Sequence, residues 1–149
     1  MKSLLTWILM IGLVLGLAQC GETTGDDPTP DPNTPKIQLL AGTSSKAWVM
    51  TSSKIDGEEV IDQELACSRD DNMVYRVAKT YEWNEGGSKC NAKDPQVYET
   101  GTWEFGSGET EIVLNNELKY KIIKLTANTL QISAKNVFGE TEELTFKAN

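Results

Sequence analysis

The sequence predicts an all-β protein, an eight-stranded antiparallel up-and-down barrel behind an export segment and a polar tether. Three observations carry this. From Lys46 onward, apolar residues recur at every second position, the period of a half-buried strand. These runs are short and are separated by turn signals, namely Asp56-Gly57, Glu85-Gly86-Gly87, Gly106-Ser107-Gly108, Asn115-Asn116, Ala127-Asn128 and Phe138-Gly139. Short strands with mostly tight connections predict an antiparallel meander, and a long meander that closes on itself removes the exposed edges at which other chains would pair.

The strands are predicted over Ala47 to Lys54, Met73 to Ala78, Thr80 to Asn84, Thr100 to Phe105, Glu111 to Asn115, Leu118 to Leu125, Thr129 to Lys135 and Glu142 to Lys147. Their alternation assigns an inward set: Tyr75 and Val77, Tyr81 and Trp83, Trp103 and Phe105, Ile112 and Leu114, Tyr120 and Ile122, Leu130 and Ile132, Leu144 and Phe146. Residues such as Arg76, Glu82, Glu104, Lys119 and Gln131 fall between them and face water, as in an antiparallel sheet solvated on one side. Ahead of the first strand, Ile37-Gln38-Leu39-Leu40 reads as a short helical or irregular segment.

The stretch Gly21 to Pro35 reads GETTGDDPTPDPNTP, with four prolines and no large apolar side chain. Such a segment buries too little surface to offset the entropy of ordering it, which predicts an extended tether over residues 20–36. The barrel domain then spans residues 37–149, roughly 110 residues, enough for one core but not two.

The first 19 residues form a unit of their own: Lys2, an uncharged run from Leu4 to Ala18, then Leu17-Ala18-Gln19-Cys20 and a turn-rich acidic stretch. The run is shorter than the roughly 20 residues of a spanning helix and lacks a basic stop-transfer flank. Its order resembles a bacterial lipoprotein signal peptide. That resemblance implies cleavage before Cys20, a diacylglycerol on its thiol, acylation of the new amino end, palmitate among the chains, and stable membrane anchoring in the cell envelope at the outer membrane. Gln19 departs from the family's Gly, Ala or Ser and leaves ordinary secretory cleavage as the alternative. The acidic Glu22, Asp26 and Asp27 resemble a surface-export signal of some Gram-negative lipoproteins, or serve only as a solubilising linker, so the periplasmic and surface-exposed faces both stay open.

Charge and composition exclude several functions. The chain carries a net charge of −8, and loss of Lys2 with the signal makes the mature form more negative still. An acidic protein repels phosphate backbones, which argues against nucleic acid as a partner. The chain has no histidine, so it lacks the usual general base, the commonest metal ligand and the Ser-His and Cys-His pairs. No carboxylate pair stands out by spacing. The expectation is a protein that is not an enzyme and holds neither cofactor nor metal.

With Cys20 assigned to lipidation, Cys67 and Cys90 remain as an even pair in an exported protein and are expected to form a disulfide. They lack the Cys-x-x-Cys spacing of a redox or metal pair.

The chain is similar to the lipocalin-like lipoproteins of Gram-negative bacteria in an ordered set of motifs. These are Ser45-Lys46-Ala47-Trp48, Asp56-Gly57, Ala66-Cys67, Asp70-Asp71, Lys89-Cys90-Asn91, Gly101-Thr102-Trp103, Tyr120-Lys121-Ile122 and Leu125-Thr126-Ala127-Asn128-Thr129-Leu130. The resemblance covers Ser44 to Lys147 and implies a calycin-type barrel with an interior cavity. It implies that Trp48 plugs the closed end, with Trp103 and Phe105 in the barrel core. Val77-Ala78-Lys79-Thr80 stands where the family has an aspartate-glycine turn.

Asp70-Asp71 are expected to make turn hydrogen bonds to backbone amides. Tyr75, Tyr81, Trp83 and Tyr120 are the candidate ligand-binding residues, since an inward aromatic with a polar tip suits a cavity mouth. The functional expectation is a barrel that binds a small apolar or amphipathic molecule. The alternative is a filled barrel that meets an envelope protein through the loops at Cys67 to Arg69 and Cys90 to Val97.

Overall fold

The structure, a computed structural model, describes Asp27 and residues 29–149. The segment expected to direct export and Cys20 lie outside the described residues.

A short helix α1 (Lys36–Ala41) precedes nine strands: β1 (Ser45–Ile55), β2 (Glu58–Glu59), β3 (Asn72–Arg76), β4 (Thr80–Asn84), β5 (Val97–Phe105), β6 (Glu111–Leu114), β7 (Leu118–Leu125), β8 (Thr129–Lys135) and β9 (Thr141–Ala148). Apart from the two-residue β2, which pairs only with the end of β1, each strand pairs antiparallel with its neighbours. β1 closes the ring, because it pairs with β3 (Ser45↔Arg76 to Val49↔Asn72) on one edge and with β9 (Trp48↔Ala148 to Ile55↔Glu142) on the other. The result is the predicted eight-stranded barrel, with β2 as an addition within the connection from Gly57 to Arg69.

The lining follows the alternation. Trp48, Met73, Tyr75, Tyr81, Trp103, Ile112, Leu114, Leu130, Ile132, Leu144 and Phe146 form one buried cluster, with Phe105, Tyr120, Ile122 and Trp83 partly buried against it. Val77 departs from the predicted inward set at 39 % exposure. β3 ends at Arg76, and Val77 belongs to the hairpin turn in which Lys79 N–H donates to Arg76 O at 3.0 Å. Lys79 takes a positive φ of 64°, in the turn where the family's glycine would stand, and sets its ammonium 4.0 Å from the centroid of the Trp103 ring.

One end of the barrel is shut. α1 buries Leu39, Leu40 and Ala41 there, and the fully buried Trp48 donates from Nε1 to Leu40 O at 2.8 Å. Lys46 Nζ donates to Leu39 O at 2.7 Å and Ala127 O at 2.9 Å, which satisfies a carbonyl that the helix end would otherwise leave open. Asp27 meets the same end. Its carboxylate accepts a hydrogen bond from Thr126 Oγ1 on the β7–β8 turn and lies 3.7 Å from Lys124 Nζ. Deeper in, Trp103 stacks edge to face on Tyr75 and on Phe105, with centroids 5.6 and 5.2 Å away.

Three strands depart from strict alternation. Pairing slips by one residue between Met50 and Ser52 on β1, between Trp83 and Asn84 at the β4–β5 ladder, and between Ile122 and Lys124 on β7. Each slip is a bulge, which bends its strand and changes which residues face inward beyond it.

Candidate functional site at the open end of the barrel

The end opposite α1 opens into a cleft of about 720 Å³. Its walls come from the upper halves of β1, β4, β5, β7 and β9 and from two long connections, one leading into β3 and one joining β4 to β5. The Cys67–Cys90 disulfide ties these two connections together, with Cα atoms 5.1 Å apart. Asp70 adds a second tie: its Oδ2 accepts from Gly87 N and Ser88 Oγ, both at 2.9 Å. The chain at Gly86 passes so close that a Cβ there would lie 1.8 Å from Asp70 O. Only glycine permits that approach.

β4 supplies the centre of the site. Tyr81 and Trp83 follow one another on its inward face and Glu85 continues the row just past its end, passing from the packed core to the mouth. The bulge against β5 pairs Trp83 with Glu99 and Asn84 with Val97, so Tyr98 is the extra residue. Its ring turns into the cleft and lies 6.1 Å from that of Trp83, tilted by 37°. The Tyr98 hydroxyl donates to Asp71 Oδ2 at 2.8 Å. Burial, followed by this hydrogen bond to a carboxylate, raises the Tyr98 pKa well above its ordinary value. Tyr120 lines the opposite wall, its pKa pushed up to about 12 by burial and then by the charges of Glu142 and Glu99.

The floor and sides of the cleft include Met50, Leu65 and Leu144, while Glu85, Asp71 and Glu142 supply polar groups. Several of these polar groups are sequestered yet uncommitted. Among the described residues, Trp83 Nε1, Arg69 Nε and Asp71 Oδ1 line the cleft buried without a hydrogen-bond partner. Buried polar atoms are normally paired, and an orphan beside a cleft marks a position where a bound molecule can complete the bond.

Of the four aromatic residues expected to bind ligand, Trp83 and Tyr120 line the cleft. Tyr75 and Tyr81 do not; each is 1 % exposed within the core. Tyr81 is engaged there, donating to Glu99 Oε1 and accepting from Asn115 Nδ2 at 3.0 Å, while Asn115 Oδ1 accepts the Thr102 N–H at 3.0 Å. Trp48 and Trp103 are buried as core, and Phe105 is half-buried against them. The sequence reading missed Tyr98, Glu85 and Met50. Glu85 stands two residues past Trp83, so extending the β4 alternation by one step finds it. Among the described residues neither aspartate side chain makes the expected local turn bond: Asp70 accepts a backbone amide from the other connection, at Gly87, and Asp71 receives the Tyr98 hydroxyl.

A closed antiparallel barrel sealed by a tryptophan at one end and open to an aromatic cleft at the other has the architecture of a small-molecule-binding barrel. The chain belongs to the lipocalin-like domain family, whose sequence model matches residues 45–132, from the start of β1 into β8. No curated protein sequence matches the chain.

Proposed function

We propose that this protein is a lipid-anchored envelope binding protein that holds one small amphipathic molecule in the open end of its barrel. The observation that carries the reading is the cleft itself: apolar and aromatic walls enclose buried polar atoms that have no partner among the described residues. An apolar body would pack against Met50, Leu65, Leu144 and the rings of Trp83, Tyr98 and Tyr120, and a polar end would meet the unpartnered groups. Binding needs no catalytic residue. Anchoring follows the sequence of the export segment and assigns Cys20 as the lipidated residue.

Thermal-shift screening of amphipathic compounds against the mature protein tests the binding. A ligand at a hundred times its Kd stabilises the folded state by about 2.7 kcal/mol, a readily measured rise in Tm. The rise should vanish in a Trp83→Ala, Tyr120→Ala double variant. No shift from any compound, or a shift that persists in the double variant, overturns the reading. Detergent-phase partition of the native protein, lost in Cys20→Ala, tests the anchor separately.

A further inference from the structure

The cleft also states what kind of polar end it would accept. We infer that it selects an organic cation, an alkyl or aryl ammonium with an apolar tail, and that Glu85 is the residue that recognises the charge. This rests on the binding reading above and narrows it to a ligand class.

Glu85 is the central observation. It is 7 % exposed, it lines the cleft, and among the described residues nothing donates to its carboxylate. Its oxygens are not sealed in the core but reach the cleft, where a donor or counter-charge on a bound molecule can meet them. Its backbone is held firmly, because Glu85 N–H donates to Gln96 O at 2.9 Å and Glu85 O accepts from the Gln96 side chain. The side chain is therefore presented from a fixed position into the cleft. Asp71 Oδ1, buried and without a partner, provides a second acceptor on the same wall.

The surrounding charge agrees. Glu64, Asp94 and Glu142 add three more carboxylates to the wall, against Arg69 as the only basic residue there. One guanidinium nitrogen of Arg69 lies 3.3 Å from Asp62, while its Nε is buried without a partner among the described residues, so one basic group faces several carboxylates around the cleft. The rings of Trp83, Tyr98 and Tyr120 offer the faces to which an ammonium group is drawn. Among the described residues no three acidic groups are gathered so as to hold a metal ion. The carboxylates are spread around an aromatic hollow, an arrangement that suits a cation with organic bulk. An anionic amphiphile such as a fatty acid would meet Glu85 unfavourably.

Decylamine, decanol and decanoate share one tail and differ only in head-group charge, so titrating each into the mature protein below its micelle concentration, by calorimetry, isolates the charge. Decylammonium should bind about tenfold or more tightly than decanol, as a charge-assisted hydrogen bond would provide, and decanoate more weakly than either. In Glu85→Gln the preference for the amine over the alcohol should collapse while decanol binding is unchanged. Glu64→Gln, on the exposed rim, should keep the preference, which separates Glu85 from the general attraction of an acidic protein. If Glu85→Gln does not fold, the wild-type ranking decides alone. Equal binding of amine and alcohol, a preference for decanoate, or a preference that survives Glu85→Gln overturns the cation assignment and leaves the binding function standing. Failure of all three compounds to bind overturns both.

Discussion

Tyr98 faces Trp83 at 6.1 Å because one residue too many lies on β5 where it passes Asn84. Without that extra residue, the strand period would turn Tyr98 outward and leave Trp83 with open solvent on one side. The bulge thus builds half of the aromatic wall. Tyr98 stays 44 % exposed, which places it on the rim.

Tyr98→Phe should keep the ring contact but lose the bond to Asp71, costing about 1 kcal/mol. Tyr98→Ala should also remove the aromatic pair and shift tryptophan emission to longer wavelength. Urea melts and emission spectra of the two variants separate the effects; equal spectra would show that Tyr98 does not shield Trp83.

Trp48 is expected to be the most sensitive position at the closed end. Trp48→Ala should destabilise the domain by about 3–5 kcal/mol through loss of a fully buried ring. Trp48→Phe keeps most of the packing but leaves Leu40 O without its donor, and should cost about 1–3 kcal/mol. Denaturant midpoints at unchanged slope would check both.

Gly101 admits no side chain. A Cβ would fall 2.1 Å from Asn115 Oδ1 and 2.6 Å from Tyr81 Cε1, so Gly101→Ala must displace the Tyr81–Asn115 pair. A loss of about 1–3 kcal/mol is expected. Wild-type stability in this variant would mean that the network yields without cost.

Reduction of Cys67–Cys90 should lower stability by about 3 kcal/mol, the loop-closure entropy of a span of this length. Because the bridge joins the two connections over the cleft, ligand affinity should fall as well. Parallel melts and titrations with and without reductant measure both losses.

All four tyrosines have raised pKa values, with Tyr81 and Tyr120 pushed up to about 12 from 10.0. Burial is the main cause; a hydrogen bond to Glu99 adds to it at Tyr81. Between these values the folded chain keeps phenolic protons that the unfolded chain has released, so stability falls as pH rises through that window and is intact below pH 10. Tyrosinate absorbance followed alongside unfolding should show ionisation arriving with the transition rather than before it.

Much of the fold was legible in the sequence because strand pairing here is local. Seven strands follow one another by short links or single loops, and period two with glycine and asparagine turns marks each. β2 escaped notice because two consecutive glutamates carry no alternation. The site was less legible for two physical reasons. Alternation tells inside from outside but not depth: Tyr75, Tyr81, Trp83 and Tyr120 all point inward, and only the stagger of a closed barrel puts the first two among the core and the last two at the mouth. Bulges reset the alternation: the predicted strand starts at Thr100 and leaves Tyr98 unassigned, and the β1 phase is lost at Thr51, between Met50 and Ser53. Glu85 reads as part of a glycine turn, although it is the last inward residue of its row.

The docking of Asp27 against Thr126 and Lys124 has a geometric consequence. The described chain enters at the base of the cup, beside the turn that carries Thr126, so its path leaves the rim clear and solutes can reach the hollow without passing that point of entry.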